Sequence, residues 1–445
     1  MDLLTRDASR YRTYFPGLKI VARSTPRDGL APLTKGTLDA QPPPAHMGGA
    51  APTRFQMNHH RLLLLSFTIV APVLIGCEAT GDTDSVPPSP EPGVYLSGAS
   101  AGTGSSSGLD GGSDADAGEI PPSCQATGPG LTDCGSEGQS CCTNLLVDGG
   151  TYHRTYAYGD AGPTGRADLA KISSFRLDKY DVTVGRFRQF VNAVMPNSDG
   201  GVPLGWTPPK DSGRHRYLNG GLGLVNSASE LVDGGPITYE SGWVTTHDNE
   251  IAPTNANLSC ENTATWTDTP GSQENFPINC VNWYEAYAFC IWDKAFLPSE
   301  AEWEYAAAGG SEQREYPWGT TTPGTACPGT GCEYAIYDCY YPNGTGECTG
   351  LANIAPVGTA TRGKGEWGQL DLDGNVFQWT LDWYATYVDP CTDCAYLTQP
   401  TGKHYRVMRG TEDGAAHDSL LPASRYLTED YTRVGQTGFR CARTP

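Results

Sequence analysis

Several potential metal ligands lie in one short interval, Thr411–Pro422, which reads TEDGAAHDSLLP. It contains two adjacent carboxylates, Glu412 and Asp413, followed by His417 and Asp418. Oxygen and imidazole ligands of this kind suit a hard or borderline metal ion. Carboxylates in loops are more often solvated than metal-bound, however. The interval therefore predicts no catalytic residue by itself.

Cysteines offer a second kind of chemistry. Cys391 and Cys394 have the C-x-x-C spacing of redox dithiols, but a structural disulfide, within the pair or to other cysteines, is the favoured interpretation. A Gly-rich segment at residues 123–144 contains four more: Cys124, Cys134, Cys141 and Cys142. No histidine accompanies them at zinc-ligand spacing, so disulfides are favoured over a zinc site.

Two helices are predicted within Phe276–Gly319. Asn282 with Glu285, and Ser299 with Glu302, have the spacing of capping boxes, in which a polar side chain and an acidic side chain satisfy free amides of the first turn. The first helix has an apolar stripe at helical spacing: Trp283, Ala286, Tyr287 and Cys290. The pair Gly309-Gly310 can end the second helix, because glycine adopts the left-handed conformation without steric cost.

An earlier strand and helix are also predicted. Residues Ser174–Thr183 read as a strand that leads to an N-cap. Apolar residues then recur at helical spacing at Phe187, Phe190, Val191 and Val194. Asn197–Asn275 contains mostly turn formers and isolated aromatic residues, and no regular element is predicted there.

Three blocks of this sequence resemble the formylglycine-generating enzyme (sulfatase-modifying factor) family. The first is Phe276–Gly319, with LPSEAEWEY and YPWG at its end. The second is Gly368–Tyr384, GQLDLDGNVFQWTLDWY. The third consists of RVMRG at Arg406–Gly410, ASR at Ala423–Arg425 and GFRC at Gly438–Cys441.

The resemblance implies an α+β fold at residues 145–445 that is irregular, loop-rich and related to C-type lectin-like domains. The composition agrees, since glycine and proline are abundant and 10 Trp, 23 Tyr and 11 Phe can supply a core. Family members pair the cysteine of the first block with that of G-F-R-C. The resemblance therefore implies a disulfide between Cys290 and Cys441.

Family members that make formylglycine oxidise a cysteine of a client sulfatase, using dioxygen and copper(I) held by two thiolates. Both thiolates lie between the R-G-G turn and the A-x-R motif. Here that interval is Thr411–Pro422, which contains no cysteine, and Thr411 replaces the second glycine of the turn. Copper is therefore not expected, and no catalytic residue is assigned.

The resemblance also implies a structural calcium site. In the family, a turn binds Ca²⁺ through an acidic or amide side chain, two backbone carbonyls and a glutamate. Asp371, Gly374, Val376 and Gln378 occupy those places. Gln378 is neutral where the family has glutamate, so weaker binding is expected. A second family site would begin at Asn353, but its later ligands are missing.

The N-terminal region predicts export. Residues 57–76 read as a lipoprotein signal peptide, with a basic start, the apolar core LLLLSFTIVAPVLI and a Leu-Ile-Gly-Cys sequence that resembles a bacterial lipobox. Cys77 would then carry lipid and hold the protein at the cell envelope, facing the periplasm or the exterior. An ordinary signal peptide or an anchor helix is the alternative. Residues 1–56 are a leader of doubtful status, and residues 77–122 read as a flexible tether rich in Gly, Ser, Asp and Pro.

Charge and cysteine count limit the partners and the compartment. The chain has a formal net charge of −20, and the residues before Cys77 are net basic, so the exported part is more acidic than the whole. Such a body is unsuited to nucleic acid, and no nucleic-acid partner is expected. An even number of cysteines remains once Cys77 is set aside, as expected for disulfides in an oxidising compartment.

Together these patterns predict an exported lipoprotein with a sulfatase-modifying-factor-like domain. The favoured function is a binding or scaffolding module for a peptide or another envelope protein. The alternative is a metal-dependent enzyme of the same fold with a changed active site. Carbohydrate binding is a weaker third hypothesis, because it rests on the lectin-like fold alone.

Overall fold

The computed structural model describes residues 120–159, 161–195, 205–226, 237–324, 332–387 and 389–445. The predicted signal peptide, Cys77 and nearly all of the predicted tether lie outside the described residues. Within the described part, no helix is both long enough and apolar enough to cross a membrane.

Short strands form four small sheets in the described residues. One sheet has the order β1-β4-β12, with β1 at Asn144–Val147, β4 at Phe175–Asp178 and β12 at Ala442–Arg443. A second has the order β10-β9-β6-β11: Tyr426–Glu429, Tyr405–Arg409, Phe377–Trp383 and Thr437–Gly438. The third contains β2, β3 and β7: Gly150–Gly159, Gly162–Ile172 and Cys391–Thr392. The fourth pairs β5 with β8: Val225–Asn226 and Cys394–Ala395.

The α-helices of the described residues are α1, α2, α3 and α4: Val184–Val194, Asn255–Leu258, Trp283–Trp292 and Glu300–Ala307. Both predicted capping boxes are confirmed. Asn282 accepts from the Glu285 amide, and Ser299 accepts from the Glu302 amide, with each glutamate bonding back to its cap. Gly309, at φ +65°, follows the C-cap of α4 in the predicted left-handed conformation.

The main core is aromatic and lies between helices α1 and α3 and the second sheet. Phe187 and Phe190 of α1 pack on Phe289 of α3, and Phe439 completes the group, with ring centroids 5.3–6.2 Å apart. All four are fully buried. A second cluster places Trp303 against the first and third sheets. Aromatic packing thus stabilises a domain with little regular secondary structure.

Disulfides join distant parts of this fold. Cys290 of α3 is bonded to Cys441, as the resemblance implied, with an S–S distance of 2.03 Å. The cysteines of residues 123–144 also form disulfides rather than a zinc site, and Cys391 is bonded to Cys394. The bridges between two described cysteines are Cys124–Cys142, Cys134–Cys141, Cys260–Cys280, Cys290–Cys441, Cys339–Cys348 and Cys391–Cys394.

The Cys-rich segment belongs to the same folded body as the rest of the domain. Ser123 is fully buried, and its amide donates to Asp293 Oδ1 at 3.0 Å. Arg186 of α1 donates to the Ser123 hydroxyl and to the Cys141 carbonyl. Packing on the domain therefore begins well before Leu145, where the sequence had placed the start of the fold.

Candidate functional site

The interval Thr411–Pro422 follows directly on β9 and is turned away from the strand by Gly410. Gly410 has φ +70°, and a Cβ at this position would lie 2.8 Å from the Leu372 carbonyl oxygen. Only glycine therefore allows the chain to leave the strand here without strain. The Thr411 hydroxyl then accepts from the Gly374 amide at 2.9 Å, which fixes the first residue of the loop.

Backbone hydrogen bonds hold the rest of the loop on two neighbouring segments. The Asp413 amide donates to the Asn375 carbonyl at 3.1 Å, and the Asp413 carbonyl accepts from the Cys339 amide at 2.7 Å. The Ala415 carbonyl accepts from the Asp338 amide at 2.9 Å. A Cβ on Gly414 would lie 3.5 Å from the Cys339 sulfur. This sulfur beside the loop belongs to the Cys339–Cys348 disulfide and is not a thiolate.

The loop carries a pair of adjacent carboxyl groups. Asp413 is 5% exposed, and its Oδ1 has no hydrogen-bond partner in the described residues. Burial, and then the charge of Glu412, raise the pKa of Asp413 to about 7. Burial also raises the pKa of Glu412, whose Oε2 accepts from the Gly414 amide at 2.6 Å. One proton is therefore readily held by the pair near neutral pH.

The other two potential ligands of the loop do not complete a metal site. His417 and Asp418 are exposed and lie in a 3₁₀ turn, His417–Ser419. In the described part of the chain, no group of three or more His, Cys, Asp or Glu side chains is placed to hold a metal ion. The loop thus offers carboxyl chemistry at Glu412 and Asp413 only.

A buried network of charges supports the end of the loop. Arg409 donates to the carbonyls of Pro422 and Ser424, at 2.9 and 3.1 Å, and forms ion pairs with Glu300 and Glu304 of α4. Burial alone would raise the pKa of Glu300, but Arg425 and Arg409 outweigh it and lower that pKa. Glu304 keeps one oxygen without a partner, and burial raises its pKa to about 7.

Space beside this network is limited to a cavity of about 10 Å³, roughly one water molecule. Its lining includes Arg154, Glu300, Asp382, Tyr387 and Arg425. No organic substrate fits a volume of this size. The network is therefore a support for the loop and not a binding cleft.

The predicted calcium ligands come together but do not fit the ion. The Asp371 carboxylate accepts from the Gly358 amide at 2.6 Å, and its backbone carbonyl accepts from Gln378 and Arg440. Gln378 Oε1 accepts from Trp303 and from Arg440, both at 2.7 Å. The guanidinium of Arg440 brings a positive charge to the place where the family resemblance implies a cation. N–H donors occupy the oxygens that calcium would need.

The Gly374 carbonyl also has another partner. The Gly374 carbonyl accepts from the Val376 amide at 3.0 Å, which makes a tight turn. At the predicted start of the second site, Asn353 Nδ2 donates to the carbonyls of Cys339, Tyr341 and Glu347. Asn353 thus organises the Cys339–Cys348 loop.

Sequence reasoning missed a buried histidine held between two carboxylates. His215 Nδ1 lies 3.0 Å from Glu240 and its Nε2 lies 3.1 Å from Glu302, the residue predicted only as a cap. Burial would lower the pKa of His215, but the two glutamates raise it to about 10. His215 and Glu240 lie in Asn197–Asn275, where no structure was predicted. Contacts with such long sequence separations leave no local pattern.

The fold and the loop define an α+β domain with irregular structure, in which the interval between β9 and the A-x-R motif carries two adjacent carboxyl groups, Glu412 and Asp413. The family model of the sulfatase-modifying factor enzyme 1-like domain matches residues 132–445. The chain therefore belongs to the formylglycine-generating enzyme (sulfatase-modifying factor) family. The match begins inside the Cys-rich segment, in agreement with the packing of that segment.

Relatives in this family have different named activities. The chain is 28% identical over 312 residues to the formylglycine-generating enzyme of Thermomonospora curvata, covering 68% of this chain and 93% of that protein. It is 31% identical over 171 residues to the mouse protein named inactive C-alpha-formylglycine-generating enzyme 2, covering 37% of this chain and 48% of that protein. It is 27% identical over 292 residues to hercynine oxygenase of Mycolicibacterium smegmatis, covering 62% of this chain and 54% of that protein.

Proposed function

We propose that this protein is an exported lipoprotein whose sulfatase-modifying-factor-like domain is a binding or scaffolding module of the cell envelope and not a copper oxidase. The observation that carries the proposal is the loop Thr411–Pro422, which has no cysteine. Its backbone is hydrogen-bonded to two neighbouring segments. Every cysteine in the described part of the chain is disulfide-bonded, so no described thiol can replace the missing pair.

Copper(I) chemistry requires soft ligands. Thiolates select Cu(I), whereas carboxylates favour harder ions. Glu412 and Asp413 are therefore poor substitutes for two thiolates. That a relative of this chain is named as inactive shows that the family includes proteins without the enzyme's named activity. Both points favour a binding function on a retained fold.

The partner favoured by charge is a peptide or an envelope protein with basic residues. The exported part of the chain is strongly acidic, and complementary charge speeds encounter and favours correct partners. Binding to a basic peptide should weaken as salt is raised from about 0.05 to 0.5 M, because exposed charges are screened. Affinity that does not depend on salt would contradict this choice of partner.

A direct test of oxidase activity is incubation of the copper-loaded protein with a C-x-P-x-R peptide, followed by mass spectrometry. We expect no formylglycine, because no thiolate pair is available at Thr411–Pro422. An active formylglycine-generating enzyme is the positive control. Turnover that is lost on chelation of copper would overturn the proposal.

The second candidate function is an enzyme with a changed active site. It is favoured by Asp413, whose pKa near 7 suits an acid or a base at neutral pH. Metal analysis of the purified protein separates the two functions. One equivalent of a tightly held redox metal that is lost in Asp413→Asn would favour the enzyme. The matched control is Asp418→Asn, an exposed carboxylate of the same loop.

Lipid anchoring is a separate part of the proposal. Cys77 would carry acyl chains, and each buried CH₂ contributes about 0.8 kcal/mol to membrane binding. Radiolabelled palmitate should label the wild type and not Cys77→Ser. Equal labelling of both, or of neither, would remove the anchor from the proposal while leaving the role of the domain untouched.

A further inference from the structure

Arg406 of β9 is a buried arginine without a carboxylate partner. It is 4% exposed, and no ion pair of its guanidinium is found within the described residues. Four other buried arginines have such partners. Arg186, Arg188, Arg409 and Arg440 each form an ion pair with a carboxylate. Burial of a cation is costly unless it is compensated, so the burial of Arg406 needs a physical reason.

Two tryptophans cover the faces of this guanidinium. The Arg406 Cζ atom lies 3.5 Å from the ring centroid of Trp283 and 3.5 Å from that of Trp383. Trp383 is also the cross-strand partner of Arg406 in the second sheet, where β6 pairs with β9. Cation–π contacts on both faces compensate part of the cost of burial. They leave only the edges of the guanidinium for hydrogen bonds.

One of those edges has no partner. Nη1 donates to the Leu381 carbonyl at 2.7 Å, whereas Nε is buried and has no hydrogen-bond partner in the described residues. Nε and Nη2 together form the edge that makes two parallel hydrogen bonds to a carboxylate or phosphate. Arg188 shows this geometry in the same protein. It stacks on Trp266 at 4.1 Å, and its Nε and Nη2 both donate to Glu274.

The nearest acidic groups are already occupied. Asp430 accepts from the Tyr284 hydroxyl at 2.7 Å, and Asp382 accepts from the Glu300 and Tyr396 amides. Neither forms an ion pair with Arg406 within the described residues. His247 packs edge-to-face on Tyr284, and its buried Nδ1 also has no partner in the described part of the chain. Two unpaired nitrogen groups thus lie in one aromatic cluster.

We propose that the Nε–Nη2 edge of Arg406, held between Trp283 and Trp383, binds the carboxylate group of a small ligand. The spacing of 3.5 Å on each side is that of stacked planar groups. A carboxylate in the plane of the guanidinium is equally thin, whereas a tetrahedral sulfate or phosphate is thicker and would meet the rings. The site therefore prefers a planar oxyanion. This inference does not depend on the function of the loop.

Other features of the cluster agree with an anion at this place. Burial lowers the pKa of Arg406 to about 9, and burial followed by the charge of Arg406 lowers the pKa of His247. A bound carboxylate would counter both shifts. Binding should therefore be weak, because the bound carboxylate would be repelled by the neighbouring carboxylates of Asp430 and Asp382.

Formate is the probe for the first experiment, with the full chain and with ionic strength held constant by chloride. Quenching of tryptophan fluorescence should saturate at one site, and sulfate should bind about tenfold more weakly or not at all, a difference of about 1.4 kcal/mol. N-acetylglycine then separates two sources of the carboxylate. Its binding indicates a larger ligand with a terminal carboxylate, and binding of formate alone indicates a free small anion.

The variant Arg406→Lys should lose at least about tenfold in formate affinity, because lysine has no planar fork. The matched control is Arg188→Lys, in which formate binding should be unchanged because Glu274 already fills that fork. If Arg406→Lys does not fold, ¹⁵N NMR of arginine-labelled wild type should show the Arg406 Nε resonance shift with formate. No saturation by formate, equal binding of sulfate, unchanged binding in Arg406→Lys, or an unmoved Nε resonance would each overturn the proposal.

Discussion

Arg406 and Arg409 lie three residues apart on β9 and are both buried, but their surroundings differ in kind. Arg409 contacts two glutamates, the Tyr387 hydroxyl and two backbone carbonyls. Arg406 contacts two tryptophan faces and one carbonyl. One arginine is thus neutralised by charge, and the other is enclosed by aromatic rings.

The difference shows that neighbouring acidic groups decide whether the pKa of a buried arginine is raised or lowered. Burial by itself would lower the pKa of both arginines. For Arg409, Glu304 and then Tyr387 and Glu300 outweigh burial, and the pKa is raised well above its ordinary value. For Arg406, the charged neighbours are too few and burial dominates. The paired arginine is therefore committed to structure, whereas the unpaired one keeps an edge for a ligand.

The largest effect is expected from Arg409→Met. It leaves Glu304 buried without its main cation, whereas Glu300 keeps Arg425. Breaking a buried ion pair in this way costs about 3–5 kcal/mol of unfolding free energy. Urea unfolding at pH 7 measures the loss. The double variant Arg409→Met with Glu304→Gln should recover part of it. A loss below about 1 kcal/mol would show that the pairs only offset their own desolvation.

A smaller effect is expected from Arg406→Met. The variant removes two cation–π contacts, worth about 2 kcal/mol when desolvated, but it strands no carboxylate and removes an uncompensated buried charge. A net loss of about 1 kcal/mol is therefore expected. Urea unfolding of both methionine variants under the same conditions makes the comparison. Equal losses at the two positions would contradict the distinction between paired and enclosed arginines.

The smallest effect concerns Asp373, an acidic counterpart of Arg406. Both of its carboxylate oxygens are buried without a partner in the described residues, and burial raises its pKa well above the ordinary value, with Arg409 opposing. Because the folded pKa exceeds the unfolded one, its contribution to stability is complete below about pH 4 and is lost as the pH rises. Relative to Asp373→Asn, the wild type should lose stability as the pH rises from 5 to 8. Parallel stability curves for the two proteins would refute this.

Local signals in the sequence predicted the frame of the domain well. The caps at Asn282 and Ser299, the strand before Thr183 and the helix containing Phe187 are all present. Each depends on residues within one or two turns of each other, so the sequence contains the whole signal. The family resemblance extended the prediction from these single elements to the fold as a whole.

The candidate sites could be predicted only in part, because their partners are distant in sequence. The absence of cysteine from Thr411–Pro422 was visible, but the hydrogen bonds from Asp338 and Cys339 were not. Gln378 was identified as an unusual calcium ligand, yet its bond to Arg440 crosses 62 positions. Arg406 was noted only as part of a motif. Its enclosure requires Trp283, a residue of helix α3, which is far from β9 in the sequence.

The pairing of β4 has a consequence for the folding of the chain while it is being synthesised. Strand β4 lies between β1, which precedes it, and β12 at Ala442–Arg443. The adjoining residues Arg440 and Cys441 bind Asp181 and Cys290. A nascent chain that has reached residue 436 therefore has an open strand edge, an unpaired Asp181 and a free Cys290 thiol. Such edges invite pairing with other chains, so the domain needs protection until its final strand has been made.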